Sequence, residues 1–161
     1  MVFGCRVIEN ETPHQAGRAL LAALYQQYTG QPIPPILITE RGKPYIENHP
    51  IHFSIAHTRR HAFVVLSDRP VGIDAEELDR RVDLRLAEKI LSPGEIVQFR
   101  AASDPTRALL TFWVLKEALV KCSGEGLRGY PNHTTFTLDD PRVFEYDGCI
   151  AAIIEEEQHA V

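Results

Sequence analysis

Residues 112–121 read FWVLKEALVK. Phe112, Trp113, Val114, Leu115, Leu119 and Val120 make an apolar helical surface, and Lys116, Glu117 and Lys121 interrupt it. A helix packed on a core places its charges on the water side, so an acid and two bases beside Trp113 call for an explanation. Glu117 and Lys121 stand four apart on one helix face, a spacing that supports an ion pair of roughly 0.2–0.5 kcal/mol. That pair leaves Lys116 unexplained. A carboxylate between two ammonium groups at the edge of a core also suits a ligand, because a metal would take Glu117 and a phosphate would take a lysine.

Working outward, Asp104-Pro105 reads as the start of this helix, with Asp104 as N-cap and Pro105 in the first turn. It should run to about Cys122, where Ser123-Gly124-Glu125-Gly126 stops it. Upstream, Ser92-Pro93-Gly94-Glu95 matches a capping box. Helical spacing also covers His14 to Tyr28, ended by Gly30. Candidate strands lie at 3–8, 36–39, 51–55, 62–67, 71–75, 133–138, 142–146 and 149–154, and the turns between them hold Arg41-Gly42-Lys43-Pro44 and Asp68-Arg69-Pro70. Strands and helices in mixed order imply an α+β domain with mainly antiparallel sheet.

The chain has 161 residues, enough for one domain with a sizeable core or two small lobes sharing one. Its 44% apolar and 24% charged content is that of a soluble globular protein. The net charge of −5 argues against nucleic acid as the main partner. Cys5, Cys122 and Cys149 are odd in number and contain no Cys-x-x-Cys pair, which fits a reducing compartment. MVFGCRVIENETP carries no secretory pattern, and no run reaches the roughly 20 apolar residues of a membrane span. The expectation is a soluble cytoplasmic domain with no membrane partner.

Two further features carry chemistry. In VGIDAEE (71–77), Asp74 and Glu76 are two apart, so on a strand they point the same way, with about 6.5–7 Å between their Cα atoms. Two carboxylates on one strand face can share a hard cation such as magnesium; equally, with Glu77 and Asp79 they can form a plain hydrophilic strand end. From Arg41 to His61 the chain gathers Arg41, Lys43, Arg59 and Arg60 with His49, His52, His57 and His61, against one acid, Glu47. That basic segment suits a polyanionic small ligand, or is a set of solvated turns. His57 stands apart at the end of the apolar FSIAHT, where a histidine is commonly a hydrogen-bonded structural group. Acids for a cation and a basic rim for phosphates together point to chemistry at a phosphate or pyrophosphate.

VGIDAEE followed about forty residues later by FWVLKEALVKCSGEGL resembles the paired signatures of the 4′-phosphopantetheinyl transferases. The upstream RGKPY (41–45) and FSIAHT (53–58) are similar to additional motifs of the larger, Sfp-type class, so that the match runs in order over roughly residues 41–127. The resemblance implies a fold of two related α/β lobes packed as a pseudo-dimer, one transferase domain over 1–161 with a shortened first lobe at about 1–69 and a second at about 70–161. It implies coenzyme A as substrate in the cleft between them. The reaction implied is transfer of its 4′-phosphopantetheine to a serine of an acyl or peptidyl carrier protein, releasing adenosine 3′,5′-bisphosphate. Carried over by position, Asp74, Glu76 and Glu117 would hold magnesium beside the pyrophosphate. Lys121 would contact a phosphate and neutralise the leaving group; Arg18, Lys43 and His57 would bind the nucleotide end. Glu117, directly or through water, is the candidate to take the serine proton. Lys116 belongs to the motif without an assigned role.

Glu76 favours the larger class, whose third metal ligand comes from protein. Ala56 stands where that class often has a serine before the histidine, which removes one hydroxyl contact. The expected assembly is a monomer, with an oligomer as the alternative. A second reading keeps the scaffold as a binding module for coenzyme A or a carrier protein without turnover; a third is a magnesium-dependent phosphohydrolase using the same acids.

Overall fold

The computed structural model describes residues 1–126 and 134–157. Strand β1 (Val2–Val7) leads into helix α1 (Pro13–Thr29), the hairpin β2 (Ile36–Ile38) and β3 (Pro44–Ile46), and strands β4 (His52–His57) and β5 (His61–Ser67). Strand β6 (Val71–Glu77) follows, then a 3₁₀ turn (Leu84–Leu86), helices α2 (Ala87–Ile90), α3 (Pro93–Ala101) and α4 (Pro105–Ser123), and strands β7 (Val143–Tyr146) and β8 (Cys149–Glu155). Every pairing among the described residues is antiparallel, in the orders β1-β5-β4, β2-β3 and β6-β8-β7. The expected α+β class with antiparallel sheet is what the chain adopts. No helix among the described residues is long and apolar enough to cross a membrane.

The layers follow from the two-residue period of the strands. On β5, Val64 and Leu66 face α1 and meet Leu21 and Tyr25, while Phe63 and Val65 face the opposite way. On β8, Ile150, Ala152 and Ile154 face α4 and pack on Phe112, Leu115 and Ala118, while Cys149 and Ala151 turn back toward β5. Val71, Ile73 and Ala75 of β6 complete that middle layer. The order through the molecule is therefore α1, first sheet, second sheet, α4. Because β5 is buried along its whole length, its sequence HAFVVLS is nearly continuous in apolar residues.

Two edges of the sheets are joined by side chains. Ser54 Oγ on β4 accepts a hydrogen bond from Ile73 N on β6 at 3.0 Å. On the other side Phe3 of β1 meets Phe144 and Tyr146 of β7 edge to face, with ring centres 5.4 and 5.6 Å apart.

The helix boundaries follow their caps. Ser92 accepts from Glu95 N, and Glu95 Oε2 accepts from Ser92 N at 2.8 Å. Asp104 Oδ1 accepts from Arg107 N at 3.0 Å, and Gly124 ends α4 at φ 71°, a left-handed conformation that glycine adopts without cost. One expected strand is absent: residues 134–138 form none, and residue 133 lies outside the described residues. The alternation in TTFTL is real, but its backbone is satisfied by α3. Phe136 N donates to Glu95 Oε1, Leu138 N donates to Gln98 Oε1, and Phe136 O accepts from Gln98 Nε2. Helix α2 was too short to leave a periodic signal.

Gly72 sets how α4 sits on β6. A Cβ there would lie 2.0 Å from Ala118 O and 2.5 Å from Cys122 N, both backbone atoms of the helix. Neither can swing aside, so Gly72→Ala must push α4 off the strand. Urea unfolding is expected to register a loss of about 2–3 kcal/mol for Gly72→Ala.

Candidate active site

The close approach at Gly72 brings α4 over the middle of β6, and Lys121 reaches across. Its Nζ donates to Ile73 O at 3.0 Å and to Asp74 Oδ1 at 2.8 Å. Asp74 is 8% exposed, and its second oxygen, Oδ2, is buried with no hydrogen-bond partner. Burial pushes the Asp74 carboxyl up to about 6; the Lys121 ammonium pulls the other way, and the charges of Glu76 and Glu117 add to the rise. Glu117 is half-buried and has no hydrogen-bond or ion-pair partner among the described residues. Its pKa too is raised by burial, with Lys121 opposing and Glu76 reinforcing the shift. The three acids thus lie within one another's electrostatic reach, with Lys121 among them. Glu76 pairs with Arg80, whose guanidinium lies 6.0 Å from the centre of the Trp113 ring.

Beside Lys121 opens a cavity of about 240 Å³ lined by Arg41, Lys43, Phe53, Ser54, Ile55 and Lys121 among others. Lys43 crosses from the β2–β3 turn and donates from Nζ to Cys122 O at 2.7 Å, at the carbonyl end of α4, where a cation is favoured. Its pKa is lowered by burial. A side chain at Gly124 would meet Lys43 Cδ at 2.9 Å, so this glycine serves both the cap and the lysine. His57 is exposed, and with Glu76 and Arg80 it lines a second, open cleft of about 600 Å³. Arg18 lines neither space. It is half-buried on α1 next to Gly17, whose absent Cβ would lie 2.8 Å from Ile55 Cγ2.

The structure therefore gathers Asp74, Glu117 and Lys121, brings Lys43 to the neighbouring cavity, and sets Glu76 and His57 together on the second cleft. Ala56 is packed between the sheets at 2% exposure. The basic segment is only partly available. Arg59 and Arg60 bond to Glu77, and Arg60 also to Asp79; His49 bonds to Tyr25 Oη and His61 to Asp147. The cause is Glu77, a buried carboxylate at the end of β6 that the two arginines compensate. Lys116 takes no part in either cleft: it is fully buried, with Nζ 2.9 Å from Glu95 Oε2. Nothing in the local spacing tied residue 116 to residue 95, although a capping-box glutamate followed by a core lysine was the available signal.

Among the described residues no three acidic, histidine or cysteine side chains converge tightly enough to form a metal-ready group. The donor chemistry nevertheless fits a hard cation. Asp74 Oδ2 is an orphaned buried oxygen, of the kind an ion commonly satisfies, and Glu117 and Glu76 are oxygen donors close by.

A family model for the 4′-phosphopantetheinyl transferase superfamily matches residues 70–150, which take in β6 and α4 and hence Asp74, Glu76, Glu117 and Lys121. The chain belongs to this superfamily. It is 31% identical over 90 residues to a 4′-phosphopantetheinyl transferase of Aneurinibacillus migulanus, covering 55% of this chain and 37% of that protein. A 4′-phosphopantetheinyl transferase of Bacillus subtilis is 32% identical over 93 residues, covering 56% and 41%. A holo-[acyl-carrier-protein] synthase of Cronobacter sakazakii is 38% identical over 64 residues, 36% of this chain and 51% of that protein. The chain spans about half, or less, of the length of these curated relatives. In this superfamily member Arg18 on α1, Lys43 in the β2–β3 turn and His57 at the end of β4 all precede the matched region.

Proposed function

We propose that this chain transfers the 4′-phosphopantetheine group of coenzyme A to a serine of an acyl or peptidyl carrier protein and releases adenosine 3′,5′-bisphosphate. One observation carries the reading: Lys121 is held by Asp74 at the mouth of a cavity, while the second oxygen of Asp74 is buried and unpartnered. On this reading the two sheets with their helices are related lobes, divided near residue 69, and coenzyme A lies between them.

The serine oxygen forms a bond to the β-phosphorus, and the bond from that phosphorus to the bridging oxygen of the pyrophosphate breaks. Negative charge builds on the departing bisphosphate, and the Lys121 ammonium, already oriented by Asp74 and Ile73 O, is fixed where that charge appears. Glu117 takes the serine proton; its burial keeps it a stronger base than an exposed glutamate. Lys43, Arg18 and His57 hold the nucleotide end. Magnesium, held by Asp74, Glu76 and Glu117, would supply Lewis-acid neutralisation of the pyrophosphate oxygens. Glu76 must leave Arg80 to join that set.

The same Glu76–Arg80 pair favours a second reading, a scaffold that binds coenzyme A without turnover. One experiment separates the two. The protein, with coenzyme A and magnesium, is incubated with a panel of acyl and peptidyl carrier proteins, and each carrier is weighed intact. A phosphopantetheine adduct on the carrier serine over several turnovers is expected. Calorimetric binding of coenzyme A with no adduct on any carrier would replace the transferase by the binding module.

A further inference from the structure

Strand β6 has a free edge facing β4, and Ile73 presents both of its backbone polar groups there. Two side chains satisfy them: Ser54 Oγ accepts from Ile73 N at 3.0 Å, and Lys121 Nζ donates to Ile73 O at 3.0 Å. Ser54 and Lys121 thus flank a single residue's backbone, and both line the 240 Å³ cavity that Lys43 also lines.

Their bonding capacities are only partly spent. Lys121 uses two of its three N–H groups, on Ile73 O and Asp74 Oδ1. Ser54 uses its oxygen as an acceptor, but among the described residues nothing accepts from its own O–H. The residue is 5% exposed, so bulk water does little to satisfy that proton. A buried donor left unmade costs free energy that a ligand acceptor can restore. Next to an ammonium with a spare N–H, the acceptor that fits is an anionic oxygen.

We propose that Ser54 is a ligand-binding residue whose O–H donates to a phosphate oxygen of coenzyme A beside Lys121, while its Oγ continues to hold β6 through Ile73 N. The proposal rests on the transferase reading, which supplies the ligand. It makes the tie between the two sheets part of the binding surface, so that the ligand contact stands on a strand.

Calorimetry with coenzyme A on the unaltered chain, Ser54→Ala and Ser54→Thr tests this, with thermal melts of each ligand-free protein alongside. Ser54→Ala is expected to bind coenzyme A about 10-fold more weakly, the effect of losing one hydrogen bond to a charged group. Folded Ser54→Thr, which keeps the hydroxyl, is expected to bind close to the unaltered level. If Ser54→Ala melts lower yet binds coenzyme A unchanged, Ser54 is a strand tie alone and the proposal falls. Equal weakening in Ser54→Thr also overturns it. Absence of coenzyme A binding by the unaltered chain removes the transferase reading itself, and the role of Ser54 with it.

Discussion

Asp74→Asn is expected to lower carrier modification by about 10²–10³-fold while leaving the circular dichroism spectrum unchanged. The substitution keeps the shape of the side chain and a hydrogen-bond acceptor for Lys121, but removes the negative charge that orients the ammonium and the orphaned oxygen that suits a cation. Glu117→Gln should produce a loss of about 10²–10⁴-fold, the range for deleting a general base. Single-turnover rates on a carrier that the unaltered protein modifies would measure both. Turnover retained in the two variants would mean that neither acid serves the chemistry and that the β6–α4 cluster is structural.

Lys116→Met should destabilise the fold by about 3–5 kcal/mol, read from chemical denaturation. Lys116 and Glu95 are both fully buried, and Glu95 accepts from Ser92 N at 2.8 Å and from Phe136 N at 3.0 Å as well as pairing with the lysine. Taking away the ammonium leaves a carboxylate charge in the core with only two backbone donors. Adding Glu95→Gln to Lys116→Met should recover part of the loss, because the neutral amide removes the uncompensated charge. Recovery stays incomplete since Ser92 N and Phe136 N donate to different oxygens of Glu95, and the amide puts an NH2 donor against one of them. If the single and double variants unfold at the same denaturant concentration, the ion pair is not what holds α3, α4 and the 134–138 segment together.

The starts of α3 and α4 were legible because N-capping is written within three residues, at Ser92 with Glu95 and at Asp104 with Pro105. Asp74, Glu117 and Lys121 were legible as a group through strand and helix periodicity and through the family resemblance; that they meet depends on Gly72, whose role appears only when α4 is laid on β6. The partners of Lys116, Arg59 and Arg60 were hidden for a different reason. Each pairs across 17 or more residues with an acid that already had a sufficient local explanation: Glu95 as a cap, Glu77 as a polar strand end. The 134–138 segment misled because apolar alternation records which side chains are buried, not which groups its backbone bonds to. There the side chains of Glu95 and Gln98 replaced a neighbouring strand.

The middle layer, between the two sheets, draws Ala56, Phe63 and Val65 from before the Asp68-Arg69-Pro70 connector and Val71, Ile73, Ala75, Cys149 and Ala151 from after it. Neither half therefore owns a finished interior: severed at the connector, each would carry a raw greasy face to water. The first sheet is as much a packing partner of the second as a neighbouring protomer would be. An apolar position on β5 is consequently as much a part of the second sheet's interior as of its own.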